Sequence, residues 1–133
     1  MYVLPYAQAE RALLGAREAL PNEASGVLLG RRRRREIELH LVLTSSAENT
    51  PASFIIRTAT YREVQSSFAG SGLTVCGCFH AHPRGPSRPS ERDRQAKKNI
   101  GDLWLIYSLN WRELKLFEWD GQDFERQRYR IAV

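Results

Sequence analysis

Two histidines one residue apart, His80 and His82, are followed by a Pro/Gly/Ser/Arg segment and then by Ser90-x-x-Asp93. On a β-strand, residues i and i+2 face the same side with backbones roughly 6.6–7 Å apart, so imidazoles at this spacing can aim at one ion. A catalytic zinc site takes three protein ligands and keeps its fourth position for water, so a third ligand must come from elsewhere in the chain. Asp93 is the nearest good candidate. It falls one turn into the helix that Pro89-Ser90 begins, and the Pro/Gly segment can fold that turn back onto the strand. The same residues also have a plain structural reading, with Ser90 as an N-cap and Asp93 favourable near the helix dipole. His-x-His alone does not decide between the two; together with Pro83 and Ser90-x-x-Asp93 it favours the metal.

The elements that must position these residues can be read from apolar spacing. Tyr6, Ala9, Leu13, Ala16 and Leu20 recur at helical steps between Pro5 and Leu20, and Pro21 ends that helix. Val27, Leu28 and Leu29 form one strand of a hairpin, and Ile37, Leu39, Leu41 and Leu43 alternate with Glu36, Glu38, His40 and Val42 on the other, which leaves one wet face. Residues 45–53 carry loop chemistry, Phe54-Ile55-Ile56 predicts a short strand or extended edge, and Ala59 to Phe68 predicts a second helix closed by Gly70-Ser71-Gly72. Leu73 to His80 is a third strand, Ser90 to Lys98 a helix, and Leu103 to Tyr107 a strand buried on both faces. Leu114 to Trp119 and Phe124 to Ile131 flank the hairpin signal Asp120-Gly121. Strands and helices mix without regular alternation, which predicts an α+β domain with a mostly antiparallel or mixed sheet and helices packed on it.

With 133 residues, 42% of them hydrophobic and 26% charged, the chain suits one globular domain over 1–133 and argues against disorder. No apolar run approaches the roughly 20 residues of a membrane helix, and Met1 to Tyr6 shows no secretory signal, so a cytoplasmic address is expected. The net charge of +5 favours acidic partners without choosing among nucleic acid, an anionic surface and an acidic protein.

His80-x-His82-Pro83 followed after a gap by Ser90-x-x-Asp93 resembles the signature of the JAMM/MPN-type metallopeptidases. That pattern also requires an upstream glutamate, and Pro21-Asn22-Glu23-Ala24-Ser25-Gly26-Val27-Leu28-Leu29-Gly30 is similar to the segment that carries it in compact bacterial members. The Thr74–Phe79 approach to His80 and the apolar strand after the helix fit as well, so the resemblance covers nearly the whole chain. It implies a curved mixed sheet with helices in a cytidine-deaminase-like α-β-α arrangement. It also implies that His80, His82 and Asp93 ligate one Zn²⁺ per chain, which would acidify water and polarise a substrate carbonyl. Glu23 would take the water's proton and return it to the leaving amine, a role worth on the order of 10²–10⁴-fold in rate. Ser90 would donate to the oxyanion. Ala81 departs from the Ser or Thr that many relatives carry between the histidines; it is not a ligand, so only local hydrogen bonding is affected.

The implied reaction is hydrolysis of a peptide or isopeptide bond after the C-terminal glycines of a ubiquitin-like protein. A chain this compact most resembles the bacterial, Mec-like members that process sulfur-carrier proteins, and the tail would enter extended and pair with a sheet edge beside the metal. Two other classes are kept in view, a non-catalytic scaffold of the same fold and a basic nucleic-acid-binding module. The run Arg31, Arg32, Arg33, Arg34 and Arg35 reads most simply as a solvated hairpin tip, and nothing beside it marks nucleic acid recognition. Within the family it could steer an acidic substrate towards the cleft. Cys76 and Cys78 share strand parity with His80 and His82, so a thiolate ligand is conceivable, but small buried strand residues are the simpler reading; His40 is expected to be exposed.

Overall fold

Alternating apolar residues build one sheet, and alanines let a helix lie close against it. In the computed structural model, which describes residues 1–133, β1 (Tyr2–Pro5) leads directly into α1 (Tyr6–Ala19). A hairpin of β2 (Ser25–Arg33) and β3 (Glu36–Thr44) follows, then α2 (Thr58–Ser67), β4 (Thr74–His82) and the short α3 (Glu91–Gln95). The chain ends with β5 (Leu103–Ser108), β6 (Glu113–Trp119), β7 (Phe124–Gln127) and β8 (Tyr129–Ala132).

The strands form an eight-stranded sheet in the order β7-β6-β5-β4-β2-β3-β1-β8. The pairs β2–β3, β2–β4, β5–β6 and β6–β7 are antiparallel, whereas β1–β3, β1–β8 and β4–β5 are parallel, so the α+β class and mixed sheet are as expected. The sheet nearly closes on itself. Its outer strands are consecutive in the chain, and the Tyr129 hydroxyl donates to the Leu114 carbonyl across the seam.

One face packs Ala9, Ala12 and Ala16 of α1 against Leu28, Leu39, Leu41, Phe79 and Leu105. On the other, Val27, Leu29, Val64 and Leu73 form one cluster and Cys78, Trp104, Ile106 and Phe117 another, with Phe54, Ile56 and Tyr61 laid over them. Helices thus flank the sheet on both sides. None of them is long and apolar enough to cross a membrane.

Several expectations need correcting. Tyr6 and Leu20 are exposed, because the buried stripe of α1 is Ala9, Ala12, Gly15 and Ala16. Phe54-Ile55-Ile56 joins no strand; it is held by its side chains on the clusters below and by the Ile55 amide donating to Asn49 Oδ1. The helix from Ser90 stops at Gln95 rather than Lys98, and the terminal strand breaks at Arg128 so that its second half can pair with β1. Arg31, Arg32 and Arg33 belong to β2, leaving only Arg34 and Arg35 in the turn.

A one-residue bulge in β4 decides which way its side chains face. Leu28 pairs with Gly77 and Leu29 with Val75, so Cys76 is the extra residue. Cys76 therefore packs on the α1 side, while Cys78 lies on the opposite face with Trp104 and Ile106, and the expected shared parity of the two cysteines fails. Beyond the bulge, regular alternation sends Phe79 and Ala81 into the α1-side core, and His80 and His82 to the other face.

Candidate metal centre

His80 and His82 end the central strand β4, where β2 and β5 pair on either side: His80 lies opposite Ser25 and Ile106, and His82 opposite Ser108. Both are buried, as are Glu23 and Asp93. Glu23 lies in the turn between α1 and β2, its amide donating to Thr50 O (2.9 Å) and its carbonyl accepting from Asn49 Nδ2 (2.9 Å). The next residue, Ala24, accepts from the Ala81 amide (3.1 Å), which ties the glutamate's turn to the stretch between the histidines. Asp93 is brought back by α3 through a reciprocal capping box: Ser90 N donates to Asp93 Oδ2 (2.8 Å), and Asp93 N donates to Ser90 Oγ (3.1 Å).

Three donor atoms converge. His80 Nε2 lies 3.0 Å from His82 Nε2 and 3.1 Å from Asp93 Oδ2, and His82 Nε2 lies 3.3 Å from the same oxygen. A tetrahedral ion with bonds of about 2.0–2.1 Å needs donor–donor edges of roughly 3.3 Å, so the triangle has the size zinc takes. His82 Nδ1 faces the Pro86 carbonyl at 2.9 Å, an acceptor only, so the ring proton sits there and Nε2 presents its lone pair to the other two donors. Glu23, His80 and His82 offer ligand atoms within 4.8 Å of one another, and Glu23 Oε1 is buried with no hydrogen-bond partner. Two nitrogen donors, one carboxylate oxygen and an unpartnered carboxylate beside them are a donor set that fits zinc.

The electrostatics follow from the same packing. Burial pushes the Glu23 carboxyl up to about 7, against the pull of His82. Asp93 moves the other way: burial works upward, but the two imidazoles beside it and the Ser90 amide hold it well below the usual carboxylate range. Burial lowers His80, whereas His82 is raised by Asp93, the Pro86 carbonyl and Glu23 against the effect of burial. Two neighbouring carboxylates are thus set apart, Asp93 kept ionised and Glu23 titrating near neutrality.

Phe54 stacks on His80 with ring centroids 4.4 Å apart, and Trp104 meets the same ring edge-on at 5.4 Å. Beside them runs a cleft of about 710 Å³, floored by Ile56, Tyr61, Cys78 and Trp104 and edged by Arg92 and Lys97. Cys78 is fully buried with its thiol pushed well above its ordinary value by burial, so it offers no thiolate to the metal, and burial likewise pushes Cys76 up to about 12.

The structure brings Glu23, His80, His82, Ser90 and Asp93 together and leaves the arginines out. β2 runs from Ser25 beside His80 to Arg33, eight residues or roughly 26 Å away, so the run sits at the opposite end of the sheet. Arg31 and Arg33 are also engaged there with Glu38. His40 is half-buried in that network, hydrogen bonded to Glu38 at 2.7 Å, rather than freely exposed. Asn49 escaped the sequence reading: its amide donates to Glu23 O and Ser25 Oγ and its carbonyl accepts from Ile55 N, joining Glu23 to the segment that carries Phe54.

Comparison with known proteins places this geometry. The chain shares its fold with a protein from Desulfitobacterium hafniense (27% identity, TM-score 0.88, covering 99% of this chain and 93% of that one). It also superimposes on a JAB1/MPN domain protein from Archaeoglobus fulgidus (18%, TM-score 0.65, 98% of each chain). A third solved structure is described as JAMM, a metalloprotease-like zinc site in the proteasome and signalosome (17%, TM-score 0.61, 100% of this chain and 99% of that one). No curated protein matches the sequence. Residues 7–124 match the model of the prokaryotic homologues of the JAB domain, and the chain belongs to that family.

Proposed function

We propose that the chain is a zinc-dependent metallopeptidase that cleaves after the C-terminal glycines of a ubiquitin-like sulfur-carrier protein. The observation that carries this reading is the convergence of His80 Nε2, His82 Nε2 and Asp93 Oδ2 within 3.0–3.3 Å beside the unpartnered carboxylate of Glu23. Zinc held there would supply Lewis-acid polarisation of a carbonyl and acidify water. Glu23, with its carboxyl near 7, accepts a proton and passes it to the departing amine; a base of that strength works well at neutral pH. Ser90 Oγ accepts from the Asp93 amide, which leaves its own proton free to donate to a developing oxyanion.

Substrate access supports a narrow, extended segment. β5 covers one side of β4 through His82, and β2 with the preceding Ala24 covers the other as far as Ala81, so the sheet edge beside His80 is taken. Phe54, Ile55 and Ile56, in contrast, make no backbone–backbone hydrogen bonds, and they line the cleft next to Asp93. An incoming tail can pair with them, beside the Phe54 ring stacked on His80. A non-catalytic scaffold would have no need of a buried, unpartnered glutamate, and a nucleic-acid module is not favoured by a run in which Arg31 and Arg33 are already paired with Glu38. The test is cleavage of C-terminally extended sulfur carriers by the zinc-loaded chain. Wild type should release the extension, and Glu23→Ala should lose at least about a hundredfold in rate while still binding zinc. If zinc-bound wild type is inert on every ubiquitin-like substrate, the reading fails.

A further inference from the structure

Two of the three metal donors stand on the central strand, but the third depends on a helix of five residues, too short to hold itself together in water. Its N-terminal fastening, the Ser90–Asp93 box, uses the same Asp93 Oδ2 that faces the histidines. Something else must fix α3 in space. An exposed ion pair of Arg94 with Asp123 is one tie, and the C-terminal end supplies the other: Lys98 Nζ donates to three carbonyls that close the helix, Asp93 O (2.9 Å), Arg94 O (2.7 Å) and Ala96 O (2.6 Å). A cation at this end also answers the helix dipole. The same ammonium lies over an aromatic platform, 4.2 Å from the Trp119 ring centroid, 5.3 Å from Phe124 and 5.8 Å from Trp104. Trp104 in turn packs edge-on against His80. One side chain therefore joins the main chain of the aspartate ligand to the aromatic group that braces a histidine ligand.

We infer that Lys98 is a positioning residue for the metal centre, holding Asp93 at the correct distance from His80 and His82 by clamping α3 to the Trp119–Phe124–Trp104 platform. This rests on the zinc reading above. Lys98 itself touches neither metal nor substrate; its effect passes through the Asp93 backbone. Both properties of the side chain matter: donors to satisfy the carbonyls, and positive charge to sit on the ring faces. Methionine keeps the length and loses both, whereas arginine keeps both in a different shape.

Zinc affinity by chelator competition and the visible spectrum of the Co²⁺-substituted protein test the inference on wild type, Lys98→Met and Lys98→Arg, with near-UV circular dichroism confirming that each is folded. Lys98→Met should bind zinc about 10–100-fold more weakly, the range typical for residues that orient a ligand, and should change the Co²⁺ bands. Lys98→Arg should recover most of the affinity and the wild-type spectrum, a rescue that general loss of packing would not give. If Lys98→Met folds less well, Trp119→Leu removes the platform while leaving Lys98 in place and should weaken zinc in the same direction. Wild type that binds no zinc would overturn the metal reading, and this inference with it. Tight binding by wild type, matched within twofold by Lys98→Met or, should that variant fail to fold, by Trp119→Leu, would overturn the inference alone.

Discussion

Between pH 4.5 and about 7 the buried Glu23 carboxyl keeps a proton that the unfolded chain has already lost. The native state binds more protons than the unfolded state in that window, so stability of the metal-free protein falls as pH rises through it. Glu23→Gln has no such proton, and its stability in urea should decline less between those pH values than that of wild type. Equal slopes would mean that Glu23 titrates as it does in the unfolded chain. At this scale much of the site was readable: His80, His82, Ser90 and Asp93 lie close in sequence, and strand and helix geometry constrain what each can reach. Glu23 has no such local signature and became visible only through resemblance to a family pattern. Asn49 was hidden because a polar residue in a Ser/Thr/Pro-rich loop looks solvated until Glu23 O, Ser25 Oγ and Ile55 N are seen to need it. Lys98 was hidden for a similar reason, since a lysine after a helix ordinarily extends into water.

Among the elements, β4 is the one on which the site depends most, and Gly77 is its tightest point. A Cβ there would come within 1.7 Å of the Leu103 carbonyl oxygen on β5. Neither backbone can retreat without breaking the pairing that places the histidines, so Gly77→Ala should cost at least about 3 kcal/mol in denaturant unfolding. A loss under about 1 kcal/mol would show that the two strands can separate there cheaply. β3 with its clean alternation, β5 with its unbroken apolar run, and the helices with sustained periodicity, α1 and α2, were legible in the sequence. The four-residue β1 was not, because so short a segment shows no period, and it exists through its pairing with β3 and β8. Nor was the bulge: alternation continues on each side of Cys76, and nothing in the residue types announces that the face has changed.

For the molecule as a whole, the net charge of +5 suggested a basic face directed at a partner, but the fold divides that charge. Arg34 and Arg35 cap the hairpin far from the histidines, while Arg92 and Lys97 edge the cleft, so attraction of an acidic substrate to the site falls to cations beside the cleft rather than to the run, screening confining it to separations within about a Debye length. Sequence proximity had made the arginine run conspicuous; only strand direction shows that it points away from the chemistry. The five-residue length of α3 carries a last consequence, for the lifetime of bound metal. His80 sits between two paired strands, and His82 is held by β5 on one side and through Nδ1 by the Pro86 carbonyl, whereas Asp93 can swing out by fraying one short helix. Zinc should then escape through a local opening of the otherwise native protein. Its removal by excess chelator should hardly change with urea below the unfolding transition, where a route through global unfolding would accelerate roughly fivefold or more per molar.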